Sequence, residues 1–293
     1  MSRTGSSFES RRLHDEVRAR LFGGDDGSTR VGRWRILERL GRGGMGTVYR
    51  ASAEGTEVAL KIVAGNHPAH RARLQREARA LRELRHPHVV GIVEVGEFEA
   101  GSYVAMELVR GESLRARMAQ ARSVAQWVAL LGPIAEALGA VQAAGLVHRD
   151  VKPDNILVDA AAVVTLVDFG LAKPEPGSAA AEASGMGESL TSSGAGVGTV
   201  GYAAPEQMLG RPVDHRADQF GFAVTLWEAI FGELPFAGAT ADAIGLAAIA
   251  GRVRAPTRPR EDAARILPAL QRALAADPAA RHRDTAALLA ALR

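Results

Sequence analysis

Residues 147–159 read VHRDVKPDNILVD. Asp150, Lys152 and Asn155 crowd together there and run straight into the apolar triplet Ile156-Leu157-Val158. Surface loops gather charge, but seldom immediately before a segment that must be buried. A second short β-like run, Val163–Val167, follows after Asp159-Ala160-Ala161-Ala162. If the two runs pair as an antiparallel hairpin, Asn155 before the first lies beside Asp168 after the second, roughly 5 Å apart. An amide oxygen and a carboxylate at that separation are hard ligands, suited to Mg²⁺ rather than to a soft metal. The triplet then anchors the loop, and the anchored loop fixes Asp150 and Lys152 beside a candidate metal site.

Two further polar residues stand where apolar ones are expected. Lys61 lies inside Val58-Ala59-Leu60-Lys61-Ile62-Val63, the pattern of a buried strand. Over residues 70–85, Leu74, Ala78, Leu81 and Leu84 form a helical stripe. Glu77 falls on that stripe, whereas Arg76, Arg79 and Glu83 point away. A lone buried Lys and a lone buried Glu are each costly unless paired, so the two are expected to pair with each other. The bland alternative is an ion pair that only holds helix to sheet.

Upstream stands Gly41-Arg42-Gly43-Gly44-Met45-Gly46-Thr47-Val48. A dinucleotide-binding glycine motif needs a helix after it, and here a strand-like run, Thr47–Ala51, follows. A Walker loop needs Lys-Ser/Thr after its last glycine, and Thr47-Val48 stands there instead. A glycine loop between two strands is a flap whose backbone amides can cover phosphates.

The whole chain frames these features. Of 293 residues, 47% are hydrophobic and 24% charged, an ordinary globular balance whose length suits one large domain or two lobes. A net charge of +3 with basic and acidic residues interleaved, and only 5% aromatic residues, argues against nucleic acid as a partner. Without cysteine there are no disulfides or thiolate metal sites. The N-terminus carries no apolar signal run, and no uninterrupted apolar segment predicts a membrane span.

Residues 1–30 stand apart. Ser6 and Glu9 fit a capping box, and Leu13, Val17 and Leu21 recur at helical spacing. A short helix and a mobile tail are both open, with residues 23–28 as a linker. Strands are predicted at 33–40, 46–52, 56–63, 89–98 and 102–108. Helices are predicted at 124–144, 218–231, 240–250, 263–275 and 284–292. The fold class is therefore α+β: a small sheet-rich lobe with one main helix over 31–108, a larger helical lobe over 109–293, and a cleft between. Gly132-Pro133 predicts a kink or a late start for the 124–144 helix. The Gly-, Ser- and Ala-rich stretch 171–200 is a long loop of the kind that is usually functional or disordered. His86 and His88 suggest a metal pair, but Pro87 marks a turn and no third ligand is near.

Taken together, these residues resemble a protein kinase. GRGGMGTV at 41–48, VALK at 58–61, HRDVKPDN at 148–155, DFG at 168–170 and APE at 204–206 stand in that family's order. The resemblance covers about residues 31–293. The Met45 flap tip and the run GTVGYAAPEQ at 198–207 are similar to the eukaryotic-like serine/threonine kinases of bacteria.

The resemblance implies a bilobal kinase fold with ATP in the cleft and assigns roles. Lys61 holds the α- and β-phosphates and Glu77 holds Lys61. Asn155 and Asp168 carry Mg²⁺, for which Mn²⁺ can substitute. Asp150 accepts or orients the substrate hydroxyl proton, and Lys152 neutralises the transferring phosphate. Leu40, Gly41, Gly43, Gly44, Met45 and Gly46 cover the nucleotide. Met106 stands at the back of the adenine pocket, Glu107 and Val109 offer hinge backbone groups, and Val48, Ala59 and Leu157 sandwich the ring. Asp-x-Lys-x-x-Asn, with a long segment over 168–206 ending in APE, implies protein substrates with Ser or Thr acceptors. Thr199 braces Lys152 and Asp150, Asp218 holds the His148-Arg149 turn, and Glu206 pairs with Arg281. His148 reads as a satisfied core histidine. Arg149 beside Asp150 implies control by phosphorylation of the long loop, at Thr191, Ser192 or Ser193. Autophosphorylation in trans, hence self-association, and a cytoplasmic location follow from the same reading. Bacterial relatives often continue into a linker and membrane span, so the chain is expected to be either a soluble kinase or part of a longer one.

A pseudokinase scaffold is the main rival, but such proteins usually lose the Lys, one of the Asp residues or a flap glycine, and all stand here. A small-molecule phosphotransferase lacks the long loop ending in APE. A binding module without chemistry leaves Lys61 and Glu77 unexplained.

Overall fold

The computed structural model describes residues 30–43, 46–64, 68–98, 101–170 and 200–293. The described residues form two compact units: 30–85 with 90–109, and 86–89 with 110–170 and 200–293. The expected helix or tail over 1–30 lies outside them apart from Arg30, as do Gly44, Met45, Thr191, Ser192, Ser193 and Thr199.

The first unit is an antiparallel sheet of β1 (Arg30–Val31), β2 (Trp34–Gly43), β3 (Gly46–Ala53), β4 (Thr56–Ala64), β5 (Ile92–Phe98) and β6 (Gly101–Glu107), in the order β1-β2-β3-β4-β6-β5. Helix α1 (Pro68–Glu83) packs against β5. Period-two alternation builds the core: Val58, Leu60 and Ile62 of β4 turn inward with Trp34, Ala51, Tyr103 and Ala105. The expected strand 89–98 begins only at Ile92, because Val89 is taken by a parallel bridge to Leu166. Gly46 closes the β2–β3 turn opposite Gly43, with φ +140°, and a Cβ there would stand 2.2 Å from the Ile62 carbonyl oxygen. Only glycine serves at that position.

In the second unit, β7 (Glu112–Ser113), β8 (Ile156–Val158) and β9 (Val164–Leu166) form a small antiparallel sheet. The helices are α2 (Leu114–Arg117), α3 (Val124–Ala143), α4 (Pro205–Met208), α5 (His215–Phe231), α6 (Ala241–Ile249), α7 (Leu267–Ala273) and α8 (Thr285–Leu292). Helix α5 is almost wholly buried, with Phe220, Phe222, Leu226 and Trp227 at its centre, and α3, α7 and α8 pack against it. It opens at His215 under an Asp214 cap and not at Asp218, and it ends on Gly232 in the left-handed conformation. Helix α7 is shorter than the 263–275 expected, because residues 261–263 form a separate 3₁₀ turn.

Helix α3 does not start late, one of the two outcomes expected from Gly132-Pro133. A Ser123–Gln126 capping box starts it at Val124, whose N–H also donates to Asp262 Oδ2 at 3.0 Å, and the helix continues through Pro133. By length and composition α3 could cross a membrane. Its Trp127, Leu131, Ile134, Leu138 and Val141 are instead buried in this unit's core.

Candidate active site

In the first unit, the sheet register gathers the expected nucleotide-binding residues. Lys61 pairs with Val48 on one side and Val104 on the other, and Ala59 pairs with Met106. Directly paired residues share a face, and alternate residues along a strand return to it, so Val48, Ala59, Lys61, Val104 and Met106 lie on one face of the sheet. That face is opposite the one carrying Val58, Leu60 and Ile62. Lys61 is buried, 5% exposed. Leu40 and Gly41 precede the β2–β3 turn and are exposed. The Glu107 N–H donates to the Gly91 carbonyl at 2.9 Å, and its carboxylate covers Gly91.

Glu77 sits on α1 with Leu74, Ala78 and Leu81. Arg73, not expected from the sequence, lies one turn before Glu77, buried and 3.6 Å from its carboxylate. Its place on the apolar stripe was the available signal.

In the second unit, the 147–159 stretch folds into a 3₁₀ turn, Pro153–Asn155, and then β8. Asp150 Oδ2 receives the Lys152 ammonium at 2.8 Å and the Asn155 amide at 2.7 Å. The same Asn155 nitrogen donates to the Asp150 backbone carbonyl at 2.8 Å. Asp150 and Asn155 are buried. With its nitrogen committed to Asp150, Asn155 has its side-chain oxygen left to serve a cation.

The hairpin register differs from expectation by one residue. Ile156 pairs with Leu166, so Val167 lies opposite Asn155 and donates its N–H to the Asn155 carbonyl at 2.9 Å. Asp168 is the next residue, turned by a φ of +59°. Its neighbour Phe169 is buried with its ring 4.4 Å from that of His148.

The turn before Asp150 is held from several sides. Asp218 of α5 accepts the backbone N–H groups of His148 and Arg149, both at 2.7 Å. Arg149 has a φ of +67°, an uncommon conformation for a residue with a Cβ. His148 Nδ1 accepts the Asp150 N–H at 3.2 Å, which leaves Nε2 to donate to the Val167 carbonyl at 3.1 Å. His148 is thus a satisfied core histidine. Gly221 of α5 completes the fit, since a Cβ there would lie 2.8 Å from the Val151 carbonyl oxygen.

The segment ending in APE is anchored nearby. Glu206 meets Arg281 through two bonds of 2.7 and 2.8 Å. Gln207 Nε2 donates to the Arg149 carbonyl at 3.0 Å, while its Oε1 accepts the Ala204 N–H. Tyr202, Glu228, Arg115 and Asp154 form a further cluster: Arg115 contacts Asp154 at 2.9 Å, Glu228 at 2.9 Å and the Tyr202 hydroxyl at 2.7 Å, and that hydroxyl donates to Glu228. Burial works against the Arg115 charge, but Asp154, Tyr202 and Glu228 outweigh it and raise its pKa. Burial, then the Glu228 charge, raises that of the Tyr202 hydroxyl. No local pattern announces this cluster, because its members lie as much as 113 residues apart.

Among the described residues no group of three or more His, Cys, Asp or Glu is placed to hold a metal by itself. An amide oxygen and a single carboxylate suit Mg²⁺, which keeps waters and shares its coordination with substrate phosphates. At His86 and His88, the first ring's Nδ1 accepts the His88 N–H and the second's Nδ1 bonds the Val164 carbonyl.

A glycine-closed sheet face bearing a buried lysine, and a rigid loop presenting Asp, Lys and Asn, define a kinase fold. A family model described as protein kinase domain matches residues 34–286, and the chain belongs to that family. The family uses ATP and a divalent metal.

The relatives narrow this further. Serine/threonine-protein kinase PknD of Mycobacterium tuberculosis is 37% identical over 256 residues, covering 84% of this chain and 36% of the relative. PknE of the same organism is 40% identical over 217 residues, covering 72% and 37%. The kinase pkn3 of Myxococcus xanthus is 33% identical over 283 residues, covering 91% and 50%. The chain thus spans about a third to a half of the length of these relatives.

Proposed function

We propose that this chain is an ATP- and Mg²⁺-dependent protein serine/threonine kinase. The observation that carries the reading is the grip on Asp150: one carboxylate oxygen shared by Lys152 and Asn155, on a turn clamped by Asp218. Phosphoryl transfer asks for in-line positioning and neutralised charge rather than covalent chemistry, and this arrangement suits both. A substrate Ser or Thr hydroxyl oxygen bonds to the γ-phosphorus as the bond from that phosphorus to the bridging oxygen of ADP breaks. Asp150 orients the hydroxyl and takes up its proton. Lys152 offsets charge on the transferring group. Lys61 binds the α- and β-phosphates, with Glu77 as its partner. Val48, Ala59 and Met106 offer adenine an apolar face. Asn155 and Asp168 would hold Mg²⁺, whose charge neutralises the phosphate oxygens when bound. Mn²⁺ has the same ligand preference and can replace it.

Thr191, Ser192 or Ser193 is the site of autophosphorylation in trans, with Arg149 receiving the phosphate. The need for ATP puts the domain in the cytoplasm.

The test incubates the protein with labelled ATP and Mg²⁺ and a generic basic substrate, beside Lys61→Met and Asp150→Asn. Label in the parent and in neither variant supports the reading. Nucleotide binding without label in the parent overturns it in favour of a scaffold. Phosphopeptide mapping of the labelled parent checks the loop, and an unmodified 189–193 segment in an active enzyme removes the autophosphorylation sites.

A further inference from the structure

The peptide plane between Arg149 and Asp150 sets where the Asp150 carboxylate points. Both its polar atoms are held by side chains. His148 Nδ1 accepts its N–H at 3.2 Å, and Gln207 donates to its carbonyl at 3.0 Å. Arg149 is in a left-handed conformation, so the plane on its C-terminal side has alternatives near in energy unless something fixes it. The Asp218 clamp holds the N–H groups of His148 and Arg149, on the far side of that residue. The Gln207 bond holds the near side.

Gln207 is itself fixed. It lies on α4, where its Oε1 accepts the N–H of buried Ala204 at 3.0 Å. Its neighbour Glu206 is locked to Arg281. A primary amide uses both ends here, accepting from Ala204 and donating to Arg149. A carboxylate could only accept, and an apolar side chain could do neither.

We propose that Gln207 is a positioning residue: through its amide, the short helix that begins within the APE motif fixes the peptide plane that aims Asp150. The proposal rests on the kinase reading above. It makes the aim of Asp150 depend on how α4 is seated.

The test compares Gln207→Ala and Gln207→Glu with the parent chain. Gln207→Glu keeps the acceptor that caps α4 but loses the donor and sets a carboxylate against the Arg149 carbonyl. Misplacing a catalytic group by an ångström costs about a hundredfold in rate, so both variants should lose about ten- to a hundredfold in kcat. The KM for ATP should hold, because the side-chain hydrogen bonds of Gln207 go to Ala204 and Arg149, neither of which is a proposed nucleotide-binding residue. Amide exchange of the 147–155 peptide should speed up in Gln207→Glu without any substrate present, a readout independent of turnover. Parental kcat and exchange in Gln207→Glu would confine the residue to capping α4 and overturn the proposal, even if Gln207→Ala fails to fold. A parent chain that transfers no phosphate would sink the kinase reading instead, and the exchange comparison would still judge Gln207.

Discussion

Glu206 and Arg281, 75 residues apart, are joined inside the second unit by two parallel N–H···O bonds of 2.7 and 2.8 Å, with neither side chain more than 5% exposed. The guanidinium has five N–H groups, and Ala275, Ala276 and Arg216 carbonyls take the remaining three. Removing one partner of such a pair strands a buried charge at a cost of about 3–5 kcal/mol. Arg281→Ala should therefore lower the unfolding free energy by about that amount in urea titration. Arg281→Lys should recover little, because an ammonium cannot reproduce the planar fork. A loss under about 1 kcal/mol in Arg281→Ala would mean that water reaches Glu206 and the pair is not sealed.

Asp218 should separate stability from activity. Its two oxygens meet two consecutive N–H groups, and an amide in its place can satisfy only one of them. Asp218→Asn should cost about 1–3 kcal/mol for the stranded donor. Its phosphotransfer rate should fall further than that loss of folded protein explains, because the turn it releases carries Asp150. A rate that tracks the folded fraction alone would make Asp218 a stability residue only.

The parts of this architecture that could be read from sequence are those whose signal is local. The apolar run Val58–Val63 located a buried strand with Lys61 inside it. HRDVKPDN located a loop whose polar groups meet within hydrogen-bonding distance. The hairpin was legible but its register was not: a one-residue shift depends on the loop, where the Asp159 carboxylate accepts from Ala161 and Val163 and withdraws Val163 from the strand. Pro133 did not delay α3, because strong capping at Ser123 and packing against α5, α8 and β9 outweigh one missing hydrogen bond. The partners of Gln207 and of the Arg115 cluster could not be read at all. Their meaning lies in contacts between elements 39 to 113 residues apart, and a lone Gln or Arg on a polar-tolerant surface carries no pattern.

Two helical glycines should respond oppositely to alanine. In a helix interior Gly→Ala ordinarily stabilises by about 0.5–1 kcal/mol through lost chain entropy. Gly139 of α3 has room, since the nearest atom to an added Cβ is Thr285 Oγ1 at 3.7 Å. Gly139→Ala should gain that amount. Gly221 does not have room: an added Cβ would lie 2.8 Å from the Val151 carbonyl and 3.1 Å from its Cβ. Overpacking costs about 1–3 kcal/mol, so Gly221→Ala should be net destabilising and should also slow phosphotransfer, because Val151 adjoins Asp150. A stabilised, fully active Gly221→Ala would mean that α5 can draw back from the loop at no cost.

His86 should give folding stability a pH dependence of defined sign. Burial first, and then the neighbouring His88, lower its pKa from 6.5, with Glu136 opposing them. The geometry agrees: Nδ1 of His86 accepts the His88 N–H at 3.2 Å, and a proton on Nδ1 would abolish that bond. In the unfolded chain His86 takes up its proton near 6.5, whereas the folded chain resists until lower pH. Its contribution to stability is therefore complete above 6.5 and is lost as the pH falls through the lowered folded value. An Asn side chain can accept the same N–H without titrating. Between about pH 7.5 and about pH 5.5, the urea midpoint of the parent should fall further than that of His86→Asn, the other histidines being common to both. Parallel pH profiles would show that the His86 ring protonates as freely in the folded chain as in the unfolded one.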